Sequence, residues 1–210
     1  SGNNNDWTSN NLTESDISVD SPTNNFCTLN PLDKDSDLTL LEGNLRVTTT
    51  GNSSSGIARG TFGVSSGKWY WEYTLDGSAA TEPGFISDDV EGNSSWLGAS
   101  GGGSWSYYKD GSAYNNHPTG SDTSYGDAQV DGDVIGTALD MDAGTATFYL
   151  NNISQGQAFN NVTGTIFPAI ADDSSGANLD VTYNFGQDSS FAGNKTAQGN
   201  QDSNDIGDFY

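Results

Sequence analysis

The sequence predicts an all-β protein, an antiparallel β-sandwich with extended N- and C-terminal arms. Three observations carry that prediction. The chain of 210 residues holds 27 glycines among abundant Ser, Thr, Asn and Asp, a mixture that suits many short turns, while runs of Ala, Leu, Glu and Lys that would build a long helix are scarce. Apolar residues are lean at 32%, yet 9 Phe, 9 Tyr and 5 Trp suffice for a core, because each ring buries a large area. The third observation is one stretch, Gly132 to Phe159, GDVIGTALDMDAGTATFYLNNISQGQAF, which reads as a three-strand meander.

In that stretch Val134, Ile135, Ala138, Leu139 and Met141 mark a buried strand, and Thr145, Thr147, Phe148 and Tyr149 continue with β-formers. Asp142-Ala143-Gly144 supplies a hairpin turn, with Gly144 free to take positive φ. The next reversal, Asn151-Asn152, also tolerates the left-handed region. Its turns therefore set the register of the meander.

The rest of the chain follows in order. Residues 1–24 are polar and low in complexity, with Trp7 as their main anchor, so they read as an arm that cannot bury enough to fold alone. Asn24 to Asp33 is more apolar and extended. Cys27 lies there between Phe26 and Leu29, where a small buried hydrophobe is its expected role. Leu38 to Thr50 alternates after Gly43, and a hairpin is expected about Glu42-Gly43-Asn44. In KWYWEYTL, Trp69, Trp71 and Tyr73 share one face. That row reads either as sheet core or as a platform on which a sugar stacks. Gly84 to Ser87 reads as a short central strand, followed by a loop carrying Asp88, Asp89 and Glu91. Ile166 to Gln187 is a strand, an acidic loop and a last strand. Asp188 to Tyr210 returns to the composition of the opening arm, with Ile206, Phe209 and Tyr210 as a docking point. The predicted division is an arm at 1–37, a sandwich at 38–187 and a polar tail at 188–210.

A formal charge of -22 with six Lys and Arg excludes a partner bound through its phosphates, nucleic acid above all, and disfavours an acidic membrane face. The charge also suits salty water, where screening shortens repulsion to about 8 Å or less. One cysteine leaves no intrachain disulfide. No apolar run is long enough to span a membrane and no signal peptide is evident, although a chain beginning with Ser fits a processed or trimmed product. The acidic loop at Asp88 lacks the residue order of a helix-loop-helix calcium site, so it reads as a surface turn; no cofactor and no metal is expected. His117 precedes Pro118 in a loop without a nucleophile or orienting acid nearby in sequence. Asp140-Met141-Asp142 is the closest approach to a glycosidase pair, and it falls at a hairpin turn. Catalysis is not expected. Six Asn-x-Ser/Thr sites are close to chance in a chain so rich in those residues.

GDVIGTALDMDAGTATFYLNN followed by QGQAF resembles the most recognisable hairpin of the SPRY domain. GKWYWEYTL (Gly67 to Leu75) resembles that family's early aromatic strand and WSYYKDGSAYNN (Trp105 to Asn116) its tyrosine-rich hairpin. IFPAIADD (Ile166 to Asp173) and VTYNFG (Val181 to Gly186) resemble its closing strands. The resemblance implies a bent, jelly-roll-like sandwich of the broad concanavalin-like group, acting as a non-enzymatic binding module through loops at one edge. Those loops would lie near Thr50 to Ile57, Asp88 to Trp105 and Tyr114 to Ala128. Trp96, Trp105, Tyr107, Tyr108 and Tyr114 are the candidate ligand-binding residues, as aromatics among adaptable Ser, Gly and Asn neighbours.

The Gly/Ser/Asn-rich loops, the acidic balance and the phrases FCTLNPLD and FGQDSSFAGNKTAQGNQD resemble SPRY-type proteins of aquatic bacterial viruses, found in tail fibres and other virion parts. That likeness implies a virion surface or fibre protein. Its partners would be other virion proteins or further copies of itself, and a host surface glycan or protein. Two rivals stand beside it: a structural capsid-decoration or fibre subunit without a ligand, and a carbohydrate-active hydrolase of concanavalin-like fold.

Overall fold

A computed structural model describes residues 25–49, 56–76, 81–90, 96–99, 102–115, 122–172 and 179–210. Its strands in chain order are β1 (Leu29–Lys34), β2 (Leu38–Leu41), β3 (Arg46–Thr49), β4 (Gly56–Gly60), β5 (Lys68–Leu75), β6 (Thr81–Ser87), β7 (Ser104–Tyr107) and β8 (Ser112–Tyr114). They continue with β9 (Asp122–Ser124), β10 (Val134–Asp140), β11 (Thr145–Leu150), β12 (Ile153–Phe159), β13 (Ile166–Asp172), β14 (Asp180–Asn184), β15 (Asn200–Gln201) and β16 (Asp208–Phe209). A 3-10 turn at Glu42–Asn44 is the one helical element among the described residues.

Two seven-stranded antiparallel sheets form the sandwich. Sheet one runs β1-β4-β13-β6-β7-β8-β9 and sheet two runs β12-β11-β10-β5-β14-β3-β2; β15 and β16 make a small ribbon. Reversals fall where the residues tolerate them. Gly144 turns at φ 66° between β10 and β11, and Asn151 and Asn152 turn at φ 48° and 66° between β11 and β12. The first turn holds an unbroken register, from Ile135 opposite Leu150 to Asp140 opposite Thr145. The expected hairpin at Glu42-Gly43-Asn44 joins β2 to β3, with all three residues at positive φ.

That register aims Ile135, Leu139, Ala146 and Phe148 at sheet one, where each is buried. Phe148 is fully buried and meets Tyr107 at 5.2 Å, Tyr125 at 6.1 Å, Phe85 at 6.3 Å and Phe159 at 6.3 Å between ring centres. Phe85 and Tyr107 belong to sheet one, so the ring cluster bridges the two layers. Farther along, the Tyr183 hydroxyl donates across the layers to the Ala169 carbonyl at 3.1 Å. Cys27 is buried as expected; burial pushes its thiol up and keeps it protonated.

Both sheets are also covered on the outside. Over sheet one, Ile57, Ile86, Leu97, Ala169 and Ala171 form a second apolar cluster, with Val90 and Phe167 packed against it. Over sheet two, the segment from Asp188 to Tyr210 folds back onto the strands as a strap. Phe209 is 8% exposed and packs edge-on against Tyr70 at 5.0 Å, while Asn184 Nδ2 donates to the Asp208 carbonyl at 2.8 Å. β1 lies inside the expected arm yet pairs with β4, and the polar tail is part of the packed body. The reason is the same at each end: a few apolar side chains, Leu29 and Phe209, anchor an otherwise polar segment.

Gly136 marks how close this covering is. A Cβ there would lie 2.1 Å from the Tyr70 hydroxyl, which is held by Glu72 and cannot swing away cheaply. Gly136→Ala is expected to lower stability by about 1–3 kcal/mol and to loosen the strap through Tyr70. An unchanged denaturant midpoint would show that Tyr70 is free to move.

Candidate partner-binding surface

The five candidate aromatics separate into two groups. Trp105 and Tyr107 are 3% and 0% exposed, on the inner face of β7. Trp105 stacks on Phe85 at 5.4 Å and Tyr107 packs on Phe148. They are core residues, and this corrects the expectation that they face a ligand. In Trp-Ser-Tyr-Tyr both tyrosines are aromatic, so the alternation gave no phase; pairing of β7 with β6 and β8 set it.

Trp96, Tyr108 and Tyr114 are half-buried on the opposite side. Tyr114 is the middle ring, edge-on to Trp96 at 5.7 Å and 82°, and to Tyr108 at 5.7 Å and 89°. Edge-to-face packing of this kind fixes ring orientation at little further entropic cost. The backbone behind them is clamped as well. Leu97 is fully buried, and its N–H donates to Glu82 Oε2 at 2.8 Å. The Gly98 N–H donates to Ser104 Oγ at 2.9 Å, and Ser106 Oγ donates to the Leu97 carbonyl at 3.1 Å. Gly98 sits at φ 85°, and a Cβ there would come within 2.5 Å of Tyr114 Cβ. Arg59 Nη2 donates to the Val90 carbonyl at 2.7 Å and pins the start of the same connection. Within the loop Asp88 to Trp105, read from sequence as adaptable, the segment Trp96 to Ala99 is seated on sheet one. Trp7, Glu91, His117 and the start of the Thr50 to Ile57 loop lie outside the described residues.

The paired acids at the central hairpin hold turns. Asp140 pairs with Lys68 and accepts the N–H groups of Asp142 and Ala143, and Asp142 accepts the Gly67 N–H at 2.8 Å. These partners hold the Asp140 carboxyl below its usual range, Lys68 first. An ionised, hydrogen-bonded carboxylate of this kind is a poor general acid. Among the described residues, no three His, Cys, Asp or Glu side chains converge as a metal site.

Sequence reasoning missed Glu72. It sits mid-way in the aromatic strand, where alternation places it outward, yet it is fully buried because the strap covers it. Its carboxylate accepts from the Tyr70 hydroxyl at 3.0 Å, from Asn184 Nδ2 at 3.2 Å and from the Tyr210 N–H at 2.9 Å. Burial raises its pKa above the ordinary glutamate range, the three donors oppose that rise, and nearby Asp208 adds to it. Only an acid flanked by aromatics in KWYWEYTL hinted at this role.

Two antiparallel sheets closed over an aromatic core, with half-exposed rings carried beside a seated loop, define the class: a two-layer β-sandwich whose distinctive surface lies in its loops. The chain belongs to the SPRY domain family, whose family model matches residues 68–188, more than half of the sequence. It is similar in fold to the SPRY domain of human HERC1, with TM-score 0.63 and 21% identity over 74% of this chain and 96% of that one. It also resembles the TRIM65 PSpry domain, with TM-score 0.59 and 17% identity over 76% of this chain and 92% of that one. Stonustoxin is a third likeness, with TM-score 0.58 and 23% identity over 75% of this chain and 27% of that one. SPRY domains are in general protein–protein interaction modules and typically non-enzymatic.

The raised pKa of Glu72 has a defined sign. Folding favours its protonated form, so its stabilising contribution is full below the unfolded-state pKa and is lost as pH climbs through the folded-state value. The urea midpoint of the protein is expected to fall as pH rises above the ordinary glutamate range, and Glu72→Gln to narrow that fall. Equal falls in both proteins would remove Glu72 from the account.

Proposed function

We propose that this chain is a non-enzymatic recognition module that binds a protein partner through Trp96, Tyr108 and Tyr114. One observation carries the reading: three aromatic rings are held edge-to-face beside a clamped loop, half-exposed, on a chain that belongs to a family of interaction modules. Large, pre-oriented rings lose little entropy on binding and make the usual anchors of an interface. The turn-holding roles of Asp140 and Asp142 support binding over hydrolysis.

The same reading places the module on the outside of a virus particle, as a surface or fibre protein that contacts other virion proteins or the host. Support comes from the Gly/Ser/Asn-rich loops, the phrases resembling aquatic phage proteins and the charge of -22, which resists non-specific association in a crowded or saline medium. The rim aromatics would then meet the partner.

Two measurements test these statements separately. Immunogold electron microscopy with an antibody to the sandwich is expected to label the particle exterior, and label confined to unassembled protein would remove the virion placement. Against a captured partner protein, Trp96→Ala and Tyr114→Ala are each expected to weaken binding by about 2 kcal/mol, roughly thirtyfold. Unchanged affinity in both variants would move the contact surface elsewhere.

A further inference from the structure

A second concave site lies away from these rings, where β5 begins. β14 pairs with β5 only from Leu75 back to Glu72, so the first residues of the aromatic strand, Lys68 to Trp71, have β10 on one side and, among the described residues, no paired strand on the other. A cleft of about 740 Å³ opens there, between the ends of the two sheets and the strap. That volume is in the range of small-ligand sites.

The cleft gathers exposed apolar surface. Phe62, Trp69 and Ile206 are 38%, 44% and 44% exposed, and all three line it. They are three of the seven large hydrophobic side chains that stand exposed among the described residues, so bare apolar surface is concentrated at this one place. Trp69 is also held in place, because its Nε1 donates to the Ser66 carbonyl at 2.8 Å. The aromatic row of β5 is thus split: Trp71 and Tyr73 are core, and Trp69 emerges from it at the mouth of the cleft.

The strap also brings polar residues to the cleft. Asp202 accepts the N–H groups of Asn204 and Ile206 on Oδ1, both at 3.0 Å, and those backbone donors hold its carboxyl below the usual range. Asn25, Ser203 and Asn204 line the cleft with it. Trp71 lines the cleft too, and its buried indole N–H has no hydrogen-bond partner in the structure.

We propose that this cleft is a neutral-saccharide site, with a sugar ring stacked on Trp69 and its hydroxyls bound by Asp202 and Asn204. A sugar offers a C–H face to an aromatic ring and hydroxyls that both donate and accept, which matches a cleft lined by a fixed indole together with a carboxylate and amide-bearing residues. Anionic ligands are disfavoured by the charge of -22. The wall that carries Asp202 belongs to the strap, so the site exists only while the strap is docked on Glu72 and Tyr70.

The test is titration of the whole chain with soluble β-1,4-glucose, α-1,4-glucose and β-1,4-N-acetylglucosamine hexasaccharides, read by isothermal calorimetry and saturation-transfer NMR. At least one is expected to bind, Trp69→Ala to weaken it about tenfold or more, and Asp202→Asn to weaken it less. Trp69→Phe should recover part of the affinity, and Trp96→Ala should leave it unchanged, which separates this site from the rim aromatics. Folding of each variant is checked by its melting temperature. Affinity should be indifferent to NaCl between about 0.05 and about 0.5 M. No binding of any hexasaccharide at millimolar concentration, or binding that Trp69→Ala leaves intact, overturns the proposal. So does a cleft that instead takes an oligolysine peptide in a salt-sensitive way.

Discussion

The structure depends on one set of contacts, the ring cluster centred on Phe148. Phe148 leaves sheet two and touches Phe85 and Tyr107 of sheet one, while Trp105 stacks behind Phe85. With apolar residues at 32% of the chain, few aliphatic side chains remain to join the layers, and aromatic area must do so. Each buried ring contributes on the order of 1.5–3 kcal/mol, and edge-to-face pairs add to it. A lean composition thus yields a closed sandwich by concentrating its burial in a few large groups. Trp105 and Tyr107 of β7 point into this cluster, and Tyr108 lies on the other side.

Covering the outer faces is the second constraint. Sheet one carries Leu97 and Val90, and sheet two carries the strap from Asp188 to Tyr210. These covers place all the candidate binding chemistry. Leu97 seats the loop that holds Trp96 beside Tyr114, and Phe209 seats the strap whose Asp202 lines the same cleft as Trp69. Polar side chains beneath the covers are matched to backbone groups: Glu82 to Leu97, Glu72 to Tyr210, Asn184 to Asp208. A buried carboxylate left without such donors would be costly, so each cover and its acid hold one another in place. Binding surfaces built this way are preorganised, which favours recognition.

By itself the sequence determined the class of fold. Gly144 and Asn151-Asn152 permit the reversals, β-formers fill the segments between them, and the alternation across Val134 to Leu150 fixes which face is buried; these are local properties of residue type and spacing. Recognisable segments in order led to the SPRY family for the same reason. The candidate surface was half legible. Of the five aromatics expected to bind a ligand, Trp96, Tyr108 and Tyr114 stand half-buried outside the core and Trp105 and Tyr107 lie within it, a division that two adjacent tyrosines do not reveal.

Tertiary structure alone decided what covers what. Glu72 reads as an outward-facing acid until a segment more than a hundred residues away lies over it. Trp69 reads as one more member of an aromatic row until β14 ends short and leaves it exposed. Neither fact has a local signature, since burial of an outer sheet face is set by which distant chain segment docks there. A docking segment as polar as Asp188 to Tyr210 is held by two buried rings, Phe191 and Phe209, and a few hydrogen bonds, which composition cannot reveal.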